Sequence, residues 1–346
     1  DEVAKAVQGT ELKGNLVKRY MKKKDLEVNP LKIELDLSVD QDKISSFVSA
    51  NCDSAVADAV DATITRKNGK FEITPSKEGV TVDMDATKAA LNEALNSEDT
   101  GAIRVEASVT VDKPKVTEED LATIKDVLGT FSTSFATSGA SRSTNLAVGS
   151  GKINGHVLMP GEVLSGYECM HPFTLENGYK TATAYENGRS VDSIGGGVCQ
   201  VSSTMYNAVV KAGLKTTMRR SHTFEPSYVT PGTDATVSWG GPDYKFVNNS
   251  SAAIGIRASY YNQTCTVSIY GIPLLDEGVT HSLKSTKLSE TDPPAPTYEE
   301  DPTLAPGTEK VKSNGSKGSK WETRLIVAKN GEVVSQDVDH SVTYKG

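Results

Sequence analysis

The chain has 346 residues, 37% of them hydrophobic, and a formal net charge of −8. That balance excludes non-specific nucleic-acid binding, which needs Lys and Arg to neutralise phosphates, and electrostatic docking on an anionic membrane. No apolar run approaches the roughly 20 residues of a membrane-spanning helix. The sequence starts at Asp1 and reads as a mature or trimmed fragment, attached to a membrane only through an anchor absent from it.

Four cysteines (Cys52, Cys169, Cys199, Cys265) lie far apart with no CxxC pair, and the five histidines are as scattered. The spacing fits neither a disulfide framework nor a zinc site, so neither a metal nor a cofactor is expected. The length suggests two or three domains.

Residues 1–125 read as one α+β unit that binds or spaces. Leu31, Ile33, Leu35 and Leu37 alternate with charged residues as a half-buried strand does. Asp40 caps a helix carrying Ile44, Phe47 and Val48, and Asn68-Gly69 fits a hairpin turn. Met84 to Leu95 is a second helix, and Ile103, Val105, Ala107 and Val109 alternate as another strand. Residues 128–275 are Gly-rich and mixed, mostly β, with one main helix. Strands are expected at 179–185, 214–220, 234–239, 243–248, 253–261 and 264–270. Residues 290–308 hold five prolines among acidic residues and read as an extended linker. Residues 309–346 alternate and turn at Asn330-Gly331, a small all-β module. The linker implies few contacts between that module and the central domain. The fold class is multidomain α+β.

The stretch 192–214, DSIGGGVCQVSSTMYNAVVKAGL, carries the chemistry. Val201, Met205, Ala208, Val209 and Ala212 recur at helical spacing, and Gly213 follows as a C′ stop. Cys199 therefore opens a helix whose N–H groups and dipole favour a thiolate. Gly195 to Gly197 permit tight turns and let a substrate backbone come close; an N–H of that run, with that of Cys199, suits an oxyanion hole. His222 is the candidate base. Asp234 is the candidate group to orient it, with Asp243 second. Gly197, Ser202, Ser203, Tyr206, Arg220, Trp239 and Asp243 are candidates for substrate contact, with Arg142 a weaker one. Each also has a plain structural role open to it: Cys199 as a small buried hydrophobe, Ser202 and Ser203 as helix-start caps, Asp234 and Asp243 as turn caps. The residues alone leave the two readings evenly matched.

Residues 142–271 resemble the VanW domain family, through RSTNLAVGSGKINGHVLMPGEVLS, GGGVCQVSSTMYNAVVKAGL, RRSHTFEPSYVTPGTDATVSWGGPDYKFVNNS and IGIRASYYNQTCTVSIYG. The stretch 164–185, with Cys169 and His171, departs from the commoner pattern. The resemblance implies an extracytoplasmic protein of the cell wall or surface. It also implies an L,D-transpeptidase that cross-links peptidoglycan through a cysteine thioester, with Cys199 as nucleophile, His222 at the family's histidine and Asp234 in its Asp-Ala block. Residues 30–110 look like a peptidoglycan-binding domain, and residues 299–336 resemble the five-glycine β module of surface proteins. The partners implied are stem peptides and glycan. The rival readings are a cysteine peptidase acting on stem peptides and a non-catalytic wall-binding or glycopeptide-resistance accessory protein.

Overall fold

The structure is a computed structural model that describes residues 2–8, 10–32, 40–67, 70–96, 102–186, 189–312 and 314–346. Helices α1 (Glu2–Gln8), α2 (Leu16–Val28) and α3 (Gln41–Cys52) come first, then a hairpin of β1 (Thr63–Lys67) and β2 (Lys70–Thr74). Next follow β3 (Gly79–Val82), α4 (Met84–Leu95) and β4 (Val109–Asp112). The chain divides into two compact units, residues 1–60 with 77–114, and residues 61–76 with 115–346.

In the first unit Asp40 caps α3 by accepting from the Asp42 and Lys43 amides, and Asp83 caps α4 by accepting from Ala86. Such a cap satisfies N–H groups that a helix start leaves without partners. Ile44 and Val48 of α3 and Val82 of β3 are buried, while Phe47 is exposed. The second expected strand is shorter than its alternation suggests. Residues 102–108 are not strand, and β4 pairs with β3 only from Val109. The expected strand at 33–37 and the Asn68-Gly69 turn lie outside the described residues.

The second unit continues with α5 (Glu118–Ala122), β5 (Asp126–Ser134), α6 (Ala140–Ile153), β6 (Val157–Leu158), β7 (Val163–Ser165) and α7 (Gly166–Met170). Then come β8 (Thr181–Glu186), β9 (Arg189–Ile194), α8 (Cys199–Lys211), β10 (Lys215–Met218), β11 (Lys245–Val247), β12 (Ile254–Tyr261) and β13 (Thr264–Gly271). An antiparallel sheet in the order β5-β13-β12-β6 carries α8 and α6 on one face. Alternation explains the packing: Cys265, Val267 and Ile269 of β13 are buried with Val201, Met205 and Ala208 of α8. Tyr270 belongs to a second small core with Leu121, Ile124 and Phe71, so the β1–β2 hairpin packs on this unit.

α8 ends in a Schellman motif, with Gly213 at φ +75, its N–H donating to Val210 and that of Leu214 to Val209. The helix is buried along Gln200–Val209. Such a helix needs a partner for every side, including a polar one. Residues 233–237 supply it: Ser202 and Ser203 donate to the Ala235 carbonyl, the Ala235 amide donates to Ser203 Oγ, and Asn207 donates to the Thr233 carbonyl. The strand expected at 234–239 is therefore not one. Its residues are buried as in a strand, but helix side chains replace the ladder.

β14 (Val279–Thr291), β15 (Gly318–Lys329) and β16 (Glu332–Tyr344) form an antiparallel sheet in that order. The turn at Asn330-Gly331, with φ values of 52 and 88, joins β15 to β16. The sheet takes its first strand from 279–291, upstream of the proline-rich stretch. Residues 292–317 thus connect two paired neighbours within one sheet, and β14 packs beside α8. The contacts given below replace the expectation of a loosely tethered module.

Candidate functional site

Cys199 is the first residue of α8 and is half-buried. The turn that delivers it demands glycine at Gly197: φ is +104, and a Cβ there would lie 2.8 Å from Arg142 Cγ. Asn145 of α6, itself fully buried, fixes this turn by donating to the carbonyls of Gly196 and Lys180 and accepting from the Lys180 amide. The amides of Gly195, Gly196, Val198 and Gln200 all donate to backbone carbonyls. Those of Gly197 and Cys199 have no backbone acceptor among the described residues. N–H groups without a backbone acceptor, at the candidate nucleophile and two residues before it, are of the kind an oxyanion needs.

The Cys199 thiol donates to the Val237 carbonyl at 3.4 Å and is hydrogen-bonded to His222. Asp234, fully buried, closes the line behind the ring. Its Oδ2 lies 2.6 Å from His222 Nδ1 and accepts from the His222 amide at 2.7 Å. Gripping both backbone and ring of one residue fixes the ring's orientation, leaving Nε2 to face the thiol. The other oxygen, Oδ1, accepts from Tyr344 Oη at 2.6 Å and from Arg219 Nη2 at 3.4 Å. The Tyr228 hydroxyl lies 3.3 Å from His222 Nε2.

The charges follow from this geometry. Burial raises the Cys199 thiol, but the hydrogen bond and positive charge of His222 outweigh it and hold the thiol below its ordinary value. Burial depresses the His222 ring, yet the bonds to Asp234 and Cys199 lift it to about 9. Burial also works against the Asp234 carboxylate, and its bonds to His222 and Tyr344 bring it down to about 2. A thiol held below its ordinary value, an imidazole held above its own and a buried carboxylate in line are the groups that a nucleophile, a general acid–base and its orienting partner require.

The structure thus brings Cys199, His222, Asp234 and Gly197 together, sets Arg142 against Gly197 and over the Tyr228 ring, and gives the other sequence candidates supporting or outlying places. Ser202 and Ser203 are fully buried and clamp the Asp234 segment to α8, bonding also to the Cys199 carbonyl. Tyr206 is buried beneath Arg219, whose guanidinium carbon lies 5.3 Å from its ring centre. Arg220 is exposed and offers its carbonyl to Thr236, while its neighbour Arg219 turns inward to the Asp234 carbonyl at 2.7 Å. Trp239 is 81% exposed, two residues beyond the carbonyl that accepts from Cys199. Asp243 accepts from Ser165 Oγ and from the Tyr167 and Tyr244 amides, so it organises the start of α7. Sequence reasoning missed Arg219, Tyr228 and Tyr344. The one local signal was Tyr228, one of two aromatics (with Phe224) in a loop carrying Pro226 and Pro231 between His222 and Asp234. All four cysteines are free, and among the described residues no His, Cys, Asp or Glu cluster gathers as a metal ion requires. No described helix is long and apolar enough to cross a membrane.

Three family models match the chain. "VanW like protein" covers residues 141–270, "Putative peptidoglycan binding domain" residues 1–104, and "G5 domain" residues 284–345. Among curated proteins, the uncharacterised protein YoaR of Bacillus subtilis (strain 168) is 34% identical over 239 residues, 69% of this chain and 77% of that protein. The vancomycin B-type resistance protein VanW of Enterococcus faecalis (strain ATCC 700802 / V583) is 29% identical over 117 residues, 32% of this chain and 42% of that protein. No solved structure matches. The flanking matches tie the chain to peptidoglycan and the cell wall. With the central segment around Cys199 inside the first model and YoaR aligned over most of its length, the chain belongs to the VanW family.

Proposed function

We propose that this chain is a peptidoglycan L,D-transpeptidase that works through a Cys199 thioester. The observation that carries the reading is the line of Cys199, His222 and Asp234 at the start of a buried helix, with the Gly197 and Cys199 amides lacking a backbone acceptor. The Cys199 thiolate attacks the carbonyl of the third residue of a tetrapeptide stem. These two amides receive the oxyanion. As the tetrahedral intermediate collapses, the peptide C–N bond breaks and His222 gives its Nε2 proton to the departing D-alanine amine. The tripeptide is left as a thioester. The side-chain amine of a second stem's diamino acid then attacks, His222 takes up its proton, and the thiolate leaves as the new amide forms. Asp234 keeps the ring aimed through both steps. The glycine turn at Gly197 precedes the sulfur in the chain, and exposed Trp239 follows two residues after the Val237 carbonyl that accepts from it; Ser202, Ser203 and Tyr206 are buried on α8.

Mass spectrometry of products from purified disaccharide tetrapeptide tests this. The expected result is a dimer linked between third residues, with D-alanine released in equal amount. Without an acceptor amine the tripeptide adduct accumulates on Cys199. Free tripeptide formed at the same rate with or without acceptor would make the enzyme a peptidase. No adduct and no product would make the protein a non-catalytic accessory.

A further inference from the structure

The chain between His222 and Asp234 is held from the C-terminal sheet at four places. The Lys345 amide donates to the Thr223 carbonyl at 2.8 Å. Glu225 accepts from Trp321 Nε1 at 2.7 Å and from Ser319 Oγ. The Gly232 carbonyl accepts from Thr323 Oγ1 at 3.2 Å and lies 2.8 Å from His340 Nε2. At the fourth place Tyr344, itself buried, reaches the catalytic line. Its hydroxyl accepts from the Gly232 amide and donates to Asp234 Oδ1, both at 2.6 Å. Gly232 has φ +92, and a Cβ there would lie 2.4 Å from Ser285 Oγ and Thr323 Oγ1 of β14 and β15. The loop and the sheet are thus fitted to each other at backbone distance. A module that only adhered to the wall would not need a buried phenol on the carboxylate of another domain.

We infer that the C-terminal β module is part of the catalytic centre, with Tyr344 a positioning residue whose hydroxyl holds the Asp234 carboxylate against His222. The inference rests on the proposed roles of Cys199, His222 and Asp234. Four donors saturate this carboxylate: the His222 amide, the His222 ring, Arg219 and Tyr344. Removing one leaves a buried anion short of a donor and hence a stronger acceptor for the remaining ones. The ring then keeps its proton to higher pH. The other groups facing this line are Cys199 and Tyr206 of α8, Tyr228 with Arg142 of α6 over its ring, and Asp339 of β16. Only Tyr344 joins Asp234 to the module by a side-chain bond to the carboxylate among the described residues.

The test uses the full chain with Tyr344→Phe, which keeps the ring and removes the hydroxyl. Iodoacetamide alkylation of Cys199 against pH reads the thiolate–imidazolium pair without any turnover. The limb assigned to His222 should move up by about half a pH unit or more. Cross-linking kcat should fall about tenfold with KM nearly unchanged. Difluorotyrosine placed at 344 is a near-isosteric second variant with a stronger donor, and it should move the same limb down. Val334→Thr, on an exposed position of β16, should leave both readouts at wild-type values. If Tyr344→Phe and the fluorinated protein both superimpose on wild type, the inference is overturned. If the wild-type protein itself alkylates as an ordinary thiol, the Cys199–His222 reading fails instead.

Discussion

Cys169 and Cys199 each lie beside an imidazole in the same unit, Cys169 Sγ being 3.5 Å from His156 Nε2. Burial, helped by the negative charges of Asp243 and Glu168, pushes the Cys169 thiol up to about 11. The Cys199 thiol is lowered although it too is buried. The difference lies behind the rings. His156 Nδ1 faces the Ile153 carbonyl at 3.2 Å, a neutral acceptor, while His222 Nδ1 faces the Asp234 carboxylate at 2.6 Å. The carbonyl only orients a ring; the carboxylate also stabilises its positive charge, and that charge stabilises the thiolate. Position adds to this, since Cys199 opens a 13-residue helix with its dipole behind it. A Cys–His contact is therefore not a catalytic pair until the third group is known.

The sharpest way to break this comparison is to delete each sulfur in turn. Cys199→Ala should abolish cross-link formation while circular dichroism shows an intact fold, and Cys169→Ala should leave turnover near wild type. Retained activity in Cys199→Ala would sink the nucleophile assignment. His222→Ala should lower kcat by about 10²-fold or more, the usual worth of general acid–base work. Asp234→Asn should cost less than that, and Asp243→Asn should cost least, because its carboxylate is engaged at Ser165 and Tyr167. A larger loss from Asp243→Asn would mean the wrong carboxylate has been placed behind the ring.

Labelling compares the two thiols directly. At about pH 7, with peptide mapping of each site, iodoacetamide should modify Cys199 and spare Cys169, whose thiol titrates only near 11. Equal labelling would erase the distinction.

The sequence showed α8 and its cysteine clearly, because Val201, Met205, Ala208 and Val209 repeat at helical spacing and Gly213 stops the helix. It showed β12, β13 and the Asn330-Gly331 hairpin for the same reason: local pattern and local turn chemistry agree. It did not show that residues 233–237 are coil, because burial alternates with nothing there and the hydrogen bonds come from Ser202, Ser203 and Asn207 of a distant helix. Arg219 and Arg220 are neighbours whose side chains part ways only once the fold supplies Asp234 on one side. Tyr344 was hidden further still. Its place in a small β module suggested adhesion, and only the tertiary contact across 110 residues puts its hydroxyl on the Asp234 carboxylate.

The smallest expected effect is a slope of stability with pH. His222 is raised to about 9, so its contribution is complete below the unfolded histidine value of about 6.5 and is lost as pH rises through about 9. Cys199 is lowered, so its contribution is complete above the unfolded thiol value of about 8.5 and is lost as pH falls through its folded value. Between those two unfolded values, wherever pH also lies above the folded value of the thiol, the folded pair holds one proton on the ring and the unfolded chain holds one on the sulfur. There the two slopes cancel, and stability should be flat. Cys169 and Cys265 are raised and enter only above this window, and His281 is lowered and enters only below it. Cys199→Ala removes one side of the cancellation. Asp234 still holds the ring's proton while the unfolded chain has released it, so this variant should lose stability as pH rises from about 6.5 to about 8.5. Cys169→Ala should stay flat. Urea midpoints for the three proteins across that range decide the matter. A flat profile for Cys199→Ala would mean that Asp234 merely orients a neutral ring, and a sloping wild type would mean that Cys199 and His222 do not share a single proton.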